Sequence, residues 1–167
     1  MKNKEAWSKN NYGYKPFAKW IWRNYDGTAR VNLADWIKEH NGSVFFIGTD
    51  SQNYKKHNNC VFTTVLIAYK LRHGGSVVMH KDKCSMISAL RQRLMMEAMR
   101  SLETAWYLDS LITNKDIISI HLDVNVNLKF KSGQYKNELI SLVASQGYSY
   151  SIKPDSFAAS KVADNKC

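Results

Sequence analysis

Val44-Phe45-Phe46-Ile47-Gly48-Thr49-Asp50-Ser51-Gln52 opens with a run of apolar residues and turns polar at Thr49. A short run that is apolar on both faces reads as a strand buried in the middle of a sheet, covered above and below. The turn to polar residues then puts Asp50 at the carboxyl end of that strand. The polar stretch from Asn53 to Asn59 reads as a loop. Upstream, Val31, Leu33, Trp36 and Ile37 have the spacing of a short amphipathic helix, which Asn41-Gly42 ends.

Downstream, Val61 to Tyr69 is rich in β-branched residues and reads as a second strand. His73-Gly74-Gly75 supplies a turn and Ser76 to Met79 a third strand, so the two form a hairpin. From Met86 to Leu111 the period changes: Ile87, Leu90, Leu94, Met99, Leu102, Ala105, Leu108 and Leu111 recur at three- and four-residue intervals, as on one face of a helix. Ile117 to Asp123 is a fourth strand that ends in an acid, and Tyr135 to Ala144 is a second long helix closed by Gly147. Tyr148 to Ile152 is a fifth strand, followed by Lys153-Pro154-Asp155-Ser156 and a last helix from Phe157 to about Ala163. Strands joined by hairpins run antiparallel, and strands joined through helices run parallel with right-handed crossovers. The expectation is an α/β domain over residues 31–167 built on a mixed five-stranded sheet, three strands antiparallel and two parallel, with flanking helices.

Residues 1–30 stand apart. Lys2, Lys4, Lys9, Lys15, Lys19 and Arg23 alternate with Trp7, Tyr12, Tyr14, Phe17, Trp20, Trp22 and Tyr25. Cations beside flat rings suit a single nucleic-acid strand, because rings stack on bases while cations follow phosphates. The plainer reading is that Phe17, Trp20 and Ile21 dock a short helix on the core and the rest caps an edge. Over the whole chain, 24 Lys and Arg face 14 Asp and Glu, a net charge of +10. A surface of that sign attracts polyanions, nucleic acid foremost. Cys60, Cys84 and Cys167 show no metal-binding CxxC and point to a reducing compartment. The N-terminus lacks the apolar core of a signal peptide, and no apolar run approaches the roughly 20 residues of a membrane helix. The expected location is the cytosol, bacterial or that of a host if the gene is phage-borne.

The acids carry the chemistry. Asp50 and Asp123 end strands, and Asp155 follows a strand within three residues. In open α/β sheets, ligands gather outside the carboxyl ends of strands. Glu97 lies on or beside the apolar stripe of its helix, where a charge is costly without a partner. Carboxylates held together repel, and a hard divalent cation, Mg²⁺ or Mn²⁺, relieves the repulsion while leaving positions for water and phosphate. Each acid also has a plainer role. Asp50 and Asp123 can form turns, Asp155 or Ser156 can cap a helix, and Glu97 can pair with Arg93 or Arg100. Asp164 competes with Asp155 for the fourth place, since nine helical residues separate the two by about 13 Å and turn them through half a circle. Asp155, nearer the strand end, is preferred, and Glu103 is the reserve for Glu97.

Ile47-Gly48-Thr49-Asp50-Ser51-Gln52, His121-Leu122-Asp123 and above all Ile152-Lys153-Pro154-Asp155-Ser156-Phe157-Ala158-Ala159-Ser160-Lys161-Val162-Ala163-Asp164 resemble the YkuK family of ribonuclease-H-like proteins over roughly residues 31–167. Thr49-Asp50-Ser51 also looks like the aspartate-bearing first strand of ribonuclease H, and Arg93 to Ala98 like the helix that carries its glutamate. The resemblance implies the ribonuclease-H fold. It gives Asp50, Glu97 and Asp123 the first three acidic positions, with Asp155 or Asp164 as the fourth. Where relatives have a glycine-rich stretch, this chain has Val124-Asn125-Val126-Asn127-Leu128.

Other candidates are subsidiary. Lys55, Lys56 and His57 follow Asp50 closely enough to suggest phosphate contacts or, for His57, a general acid. Lys153 and Lys161 flank Asp155 and can meet phosphate, and His121 shares a strand face with Asp123. The chain has no phosphate-binding GxxxxGK[ST] loop and no GxSxG. The leading expectation is a metal-dependent nuclease acting on RNA, an RNA–DNA hybrid or structured DNA. The alternatives are a non-catalytic nucleic-acid-binding module and a protein-interaction adaptor of a phage or mobile element.

Overall fold

The structure is a computed structural model describing residues 15–112 and 114–167. Trp7, Tyr12, Tyr14, Lys2, Lys4 and Lys9, assigned above to stacking and phosphate contact, lie outside the described residues. Among the described residues, a single 3₁₀ turn (Phe17–Lys19) takes the place of the expected short helix and is followed by two short strands, β1 (Trp22–Asn24) and β2 (Arg30–Val31), then helix α1 (Leu33–Glu39), whose first turn is capped by the Asn32 side chain accepting from the Asp35 amide at 3.1 Å.

The apolar run from Val44 forms the central strand, β3 (Val44–Tyr54), and the strand continues well past its apolar residues. β4 (Asn59–Lys70) pairs with it antiparallel along its whole length, from Val44↔Tyr69 to Tyr54↔Asn59, and β5 (Gly74–Ser85) pairs in turn with β4. The long helix α2 (Leu90–Ile112) crosses to β6 (Ile118–His121), which lies parallel to β3, and α3 (Lys136–Ala144) leads to β7 (Ser149–Ser151), parallel to β6. The chain ends in a helix that is π-wound over Ala158–Ala163 and 3₁₀ over Asp164–Lys166.

The five strands from β3 to β7 follow the anticipated order, but the described residues form a sheet of seven strands, in the order β2-β1-β5-β4-β3-β6-β7. The five-strand expectation is corrected by the opening segment. Trp22–Asn24 pairs on the open edge of β5 and Arg30–Val31 pairs outside it. Strands of three and two residues are too short to show a period, so nothing local announces them.

The helices α1 to α3 cover one face of the sheet, where Phe45, Ile47, Leu66, Ala68, Val78, Ile118 and Ile120 meet Trp36, Ile37, Leu102, Leu108 and Leu139. The C-terminal helix lies on the other face, where Ala158 and Ala163 pack on Val65, Ile67 and Met79. It reaches the sheet so closely because of Gly48. A Cβ at that position would stand 2.4 Å from the Ala159 nitrogen and 2.5 Å from the Ala158 carbonyl carbon. Trp20 and Trp22 of the opening segment are buried, Trp20 stacking on His80 with ring centroids 4.4 Å apart. Ile21 is exposed. Among the described residues, no helix is long and apolar enough to cross a membrane.

Candidate acidic centre

Asp50 does not close its strand, as the sequence suggests; β3 runs on to Tyr54. What stops near Asp50 is the parallel neighbour. The last β3–β6 pair is Gly48↔His121, and β6 then leaves the sheet toward Leu122 and Asp123. Asp50 therefore projects where one side of β3 has lost its partner strand. This notch in the sheet takes the place of the expected strand end.

Side chains alternate along a strand, and both faces of β3 contribute. On the helical face, the Thr49 hydroxyl lies 2.9 Å from that of Ser101 on α2, and the Ser51 hydroxyl donates to Glu97 Oε1 at 2.6 Å. Asp50, between them, looks to the opposite face, toward the C-terminal helix and Asp164. Glu97 and Asp123 share the lining of a small void of about 10 Å³ with Thr49, Ser101 and His121. That is about the space one water occupies.

The electrostatics show how closely these acids are grouped. Burial, then the charge of Asp123, then contact with Asp164, push the Asp50 carboxyl up to about 7. Glu97, buried within the helix, is pushed up by desolvation first and by Asp50 and Asp123 next, against the opposing pull of Ser51 and Arg93. Arg93 donates to the Ser51 carbonyl at 3.3 Å. Arg100, the other helical partner considered for Glu97, is instead fully buried and bonded twice to Asp82, at 2.7 and 3.2 Å. Asp123 Oδ1 has Lys153 Nζ at 2.7 Å. Among the described residues, no three His, Cys, Asp or Glu side chains are gathered tightly enough to enclose an ion as they stand.

Asp50 thus feels Asp123 and Asp164, and Glu97 feels Asp50 and Asp123, whereas Asp155 is exposed in a turn, its amide donating to the Ile152 carbonyl at 2.8 Å. The reason lies in the sheet order. β7 is two strand spacings, about 10 Å, from β3, so the residue just after β7 is delivered too far out. The C-terminal helix crosses back over Gly48 and returns the chain to Asp50 at Asp164. Glu103, the reserve, is half-buried further along α2.

Lys153 and Lys161 line a shallow cavity of about 420 Å³ beside Asn125 and Ser160, on the Asp123 side. Lys55, Lys56 and His57 form an exposed 3₁₀ turn at the β3–β4 tip. Lys55 lies five steps along the strand from Asp50, about 16 Å, which keeps His57 out of proton-transfer reach of the acids. His121 is buried, its Nδ1 accepting from the Ala158 amide at 3.1 Å and its ring packed on Phe46 and Phe157; burial holds its pKa down at about 4. It is a structural, neutral histidine.

Several participants escape a sequence reading. Ser51 and Thr49 look like ordinary strand-end polar residues until α2 is placed beside them. Cys167, whose thiol donates to the Asp50 carbonyl at 3.2 Å, carries no local signal at all. Lys81 and Lys83 belong to a strand read as ending at Met79; their alternation with His80, Asp82 and Cys84 was the available clue.

Comparison with curated proteins and with solved structures gives no match. Residues 31–167 match the family model described as Ribonuclease H-like. With that match over most of its length, the chain belongs to the ribonuclease-H-like YkuK family.

Proposed function

We propose that this protein is a metal-dependent phosphodiesterase acting on nucleic acid, with Asp50, Glu97, Asp123 and Asp164 as ion-holding residues. One observation supports the proposal: beside the notch where β6 leaves β3, Asp50 lies within electrostatic reach of Asp123 and Asp164 and of Glu97, which Ser51 holds on the helical face. Two of them are driven toward protonation, by burial first and by neighbouring carboxylates next. The donor set is all oxygen and suits Mg²⁺ or Mn²⁺. When bound, such an ion polarises phosphate oxygens and lowers the pKa of water.

The chain's own residues do the rest. Ser51 fixes one oxygen of Glu97 and Arg93 fixes the Ser51 backbone, so the helical acid is aimed by the central strand. Lys153 holds Asp123 and lies at the mouth of the cavity shared with Lys161, where a phosphate would displace it from the carboxylate. Asp164, exposed on the C-terminal helix, closes the centre from the other side.

The test is direct. Labelled single-stranded, duplex, hybrid and junction substrates are incubated in Mg²⁺ and then Mn²⁺ with the protein, Asp50→Asn and Asp164→Asn, alongside calorimetric titration of the ions alone. Cleavage that both substitutions abolish supports the proposal. Cleavage indifferent to Asp50→Asn, or no ion binding in the millimolar range, sinks it. Asp155→Asn is the contrast and leaves ion affinity within about twofold.

A further inference from the structure

On the face of the sheet that carries the C-terminal helix, two cavities lie end to end. The first, of about 710 Å³, is bounded by Lys15, Tyr54, His57, Lys81, Lys83 and Cys167. The second, of about 510 Å³, is bounded by Arg23, Lys81 and Lys166 among others. Lys81 lines both, so the two adjoin along one side of the sheet, and together they are called the trough. The strand register explains why the cations line up. Met79, Lys81 and Lys83 alternate onto the same face of β5, and Arg23 of β1 is paired with Met79 and lies beside them. Met79 packs on the C-terminal helix, so this is also the face of Asp164.

The trough reaches the acidic centre through its own wall. Cys167 lines the first cavity and its thiol contacts the Asp50 carbonyl, while the Tyr54 hydroxyl donates to the Cys167 carbonyl. Its acids offset the charge only in part. Asp82 is turned to the helical face and is bonded to Arg100, and Asp26, kept ionised by the Thr28 amide and hydroxyl, is one carboxylate against Arg23, Lys81, Lys83 and Lys166. Rings accompany the cations: Lys166 Nζ stands 4.1 Å from the Tyr25 ring centroid, and Tyr54 and His57 flank the first cavity.

We infer that the trough is the path of a single nucleic-acid strand leaving the acidic centre, its phosphates held by Lys81, Lys83, Arg23 and Lys166. This rests on the reading of that centre as a phosphodiester site. A concave floor edged by cations and rings suits one unpaired strand, whose bases can stack while its backbone is neutralised. Reading a duplex groove instead calls for a protruding helix or ribbon. The opening segment thus adds a substrate wall as well as two strands, since β1 supplies Arg23 and the Trp20 indole donates to the Lys15 carbonyl at 2.9 Å.

Lys81 and Lys83 are exposed, so Lys81→Ala/Lys83→Ala is expected to melt like the parent. Binding of fluorescent single-stranded oligonucleotides, blunt duplex and polyglutamate is measured in EDTA over a salt series, and Mn²⁺ affinity by calorimetry. We expect at least tenfold weaker single-strand binding in the double variant and a log–log salt slope shallower by about 1.4, for two lost phosphate contacts, with Mn²⁺ affinity unchanged. Single-strand affinity and slope that survive the substitution overturn the path. So does preferential binding of duplex or polyglutamate, or no strand affinity in the parent at low salt. Failure of the parent to bind Mn²⁺ strikes the proposed chemistry alone, because the strand measurements need no ion.

Discussion

Asp50 takes up a proton at a pH where a solvated aspartate has long lost it, because burial and the charges of Asp123 and Asp164 raise it from 3.8 to about 7. The folded state therefore holds that proton more tightly than the unfolded chain, and stability falls as pH rises through this window. His121 acts in the opposite sense. Its pKa is depressed from 6.5 to about 4, so the unfolded chain binds its proton first and stability falls as pH drops through that window. The two effects overlap and oppose. Asp50→Asn should separate them: urea unfolding at pH 8 in EDTA should show the variant more stable than the parent by on the order of 2 kcal/mol. On acidification from 6.5 to 4 the variant should gain less stability, or lose more, than the parent, since Glu97 and His121 contribute to both. A variant that is weaker at pH 8 would show that Asp50 is not under strain. Mn²⁺ should raise the parent's melting temperature at pH 8 and leave that of Asp50→Asn nearly unmoved. At this scale Asp50 and Asp123 stand out in the sequence as candidates, because both sit where an apolar run stops. Choosing between Asp155 and Asp164 needs the distance from β7 to β3, which no local pattern contains.

Among the elements, the C-terminal helix depends most on one residue. Gly48→Ala would set a Cβ against the backbone of Ala158 and Ala159, and backbone, unlike a flexible side chain, has nowhere to swing. The helix must lift, and Asp164 goes with it. We predict a loss of about 2 kcal/mol in urea unfolding together with at least fivefold weaker Mn²⁺ binding. Stability lost without ion affinity would show that Asp164 is dispensable. The long helix is plain in the sequence from its three- and four-residue spacing, whereas β5 is cut short at Met79. The cause is physical: beyond Met79 the inward positions are His80, Asp82 and Cys84, so the polar alternation hides a buried face. The partners that make those positions tolerable, Arg100 and Trp20, are distant in sequence.

For the molecule as a whole, the opening segment decides how the sheet ends. β1 occupies the edge of β5, and Trp22, buried, closes over His80 and the core. Trp22→Ala is expected to cost about 3 kcal/mol, or roughly 10 °C in melting temperature for a chain of this size. Uncovering a β5 edge invites pairing between molecules, so light scattering should rise on storage. A shift below about 2 °C would reduce β1 to an ornament.

Of the three thiols, Cys60 and Cys84 are buried opposite each other across β4 and β5, and only Cys167 is partly open to solvent. The protein thus carries a natural attachment point for a thiol-reactive dye within reach of Asp50. Burial pushes that thiol to about 12, so conjugation at neutral pH should be slow. Slowness makes it a usable clock, since whatever draws the sulfur away from the Asp50 carbonyl should quicken the labelling.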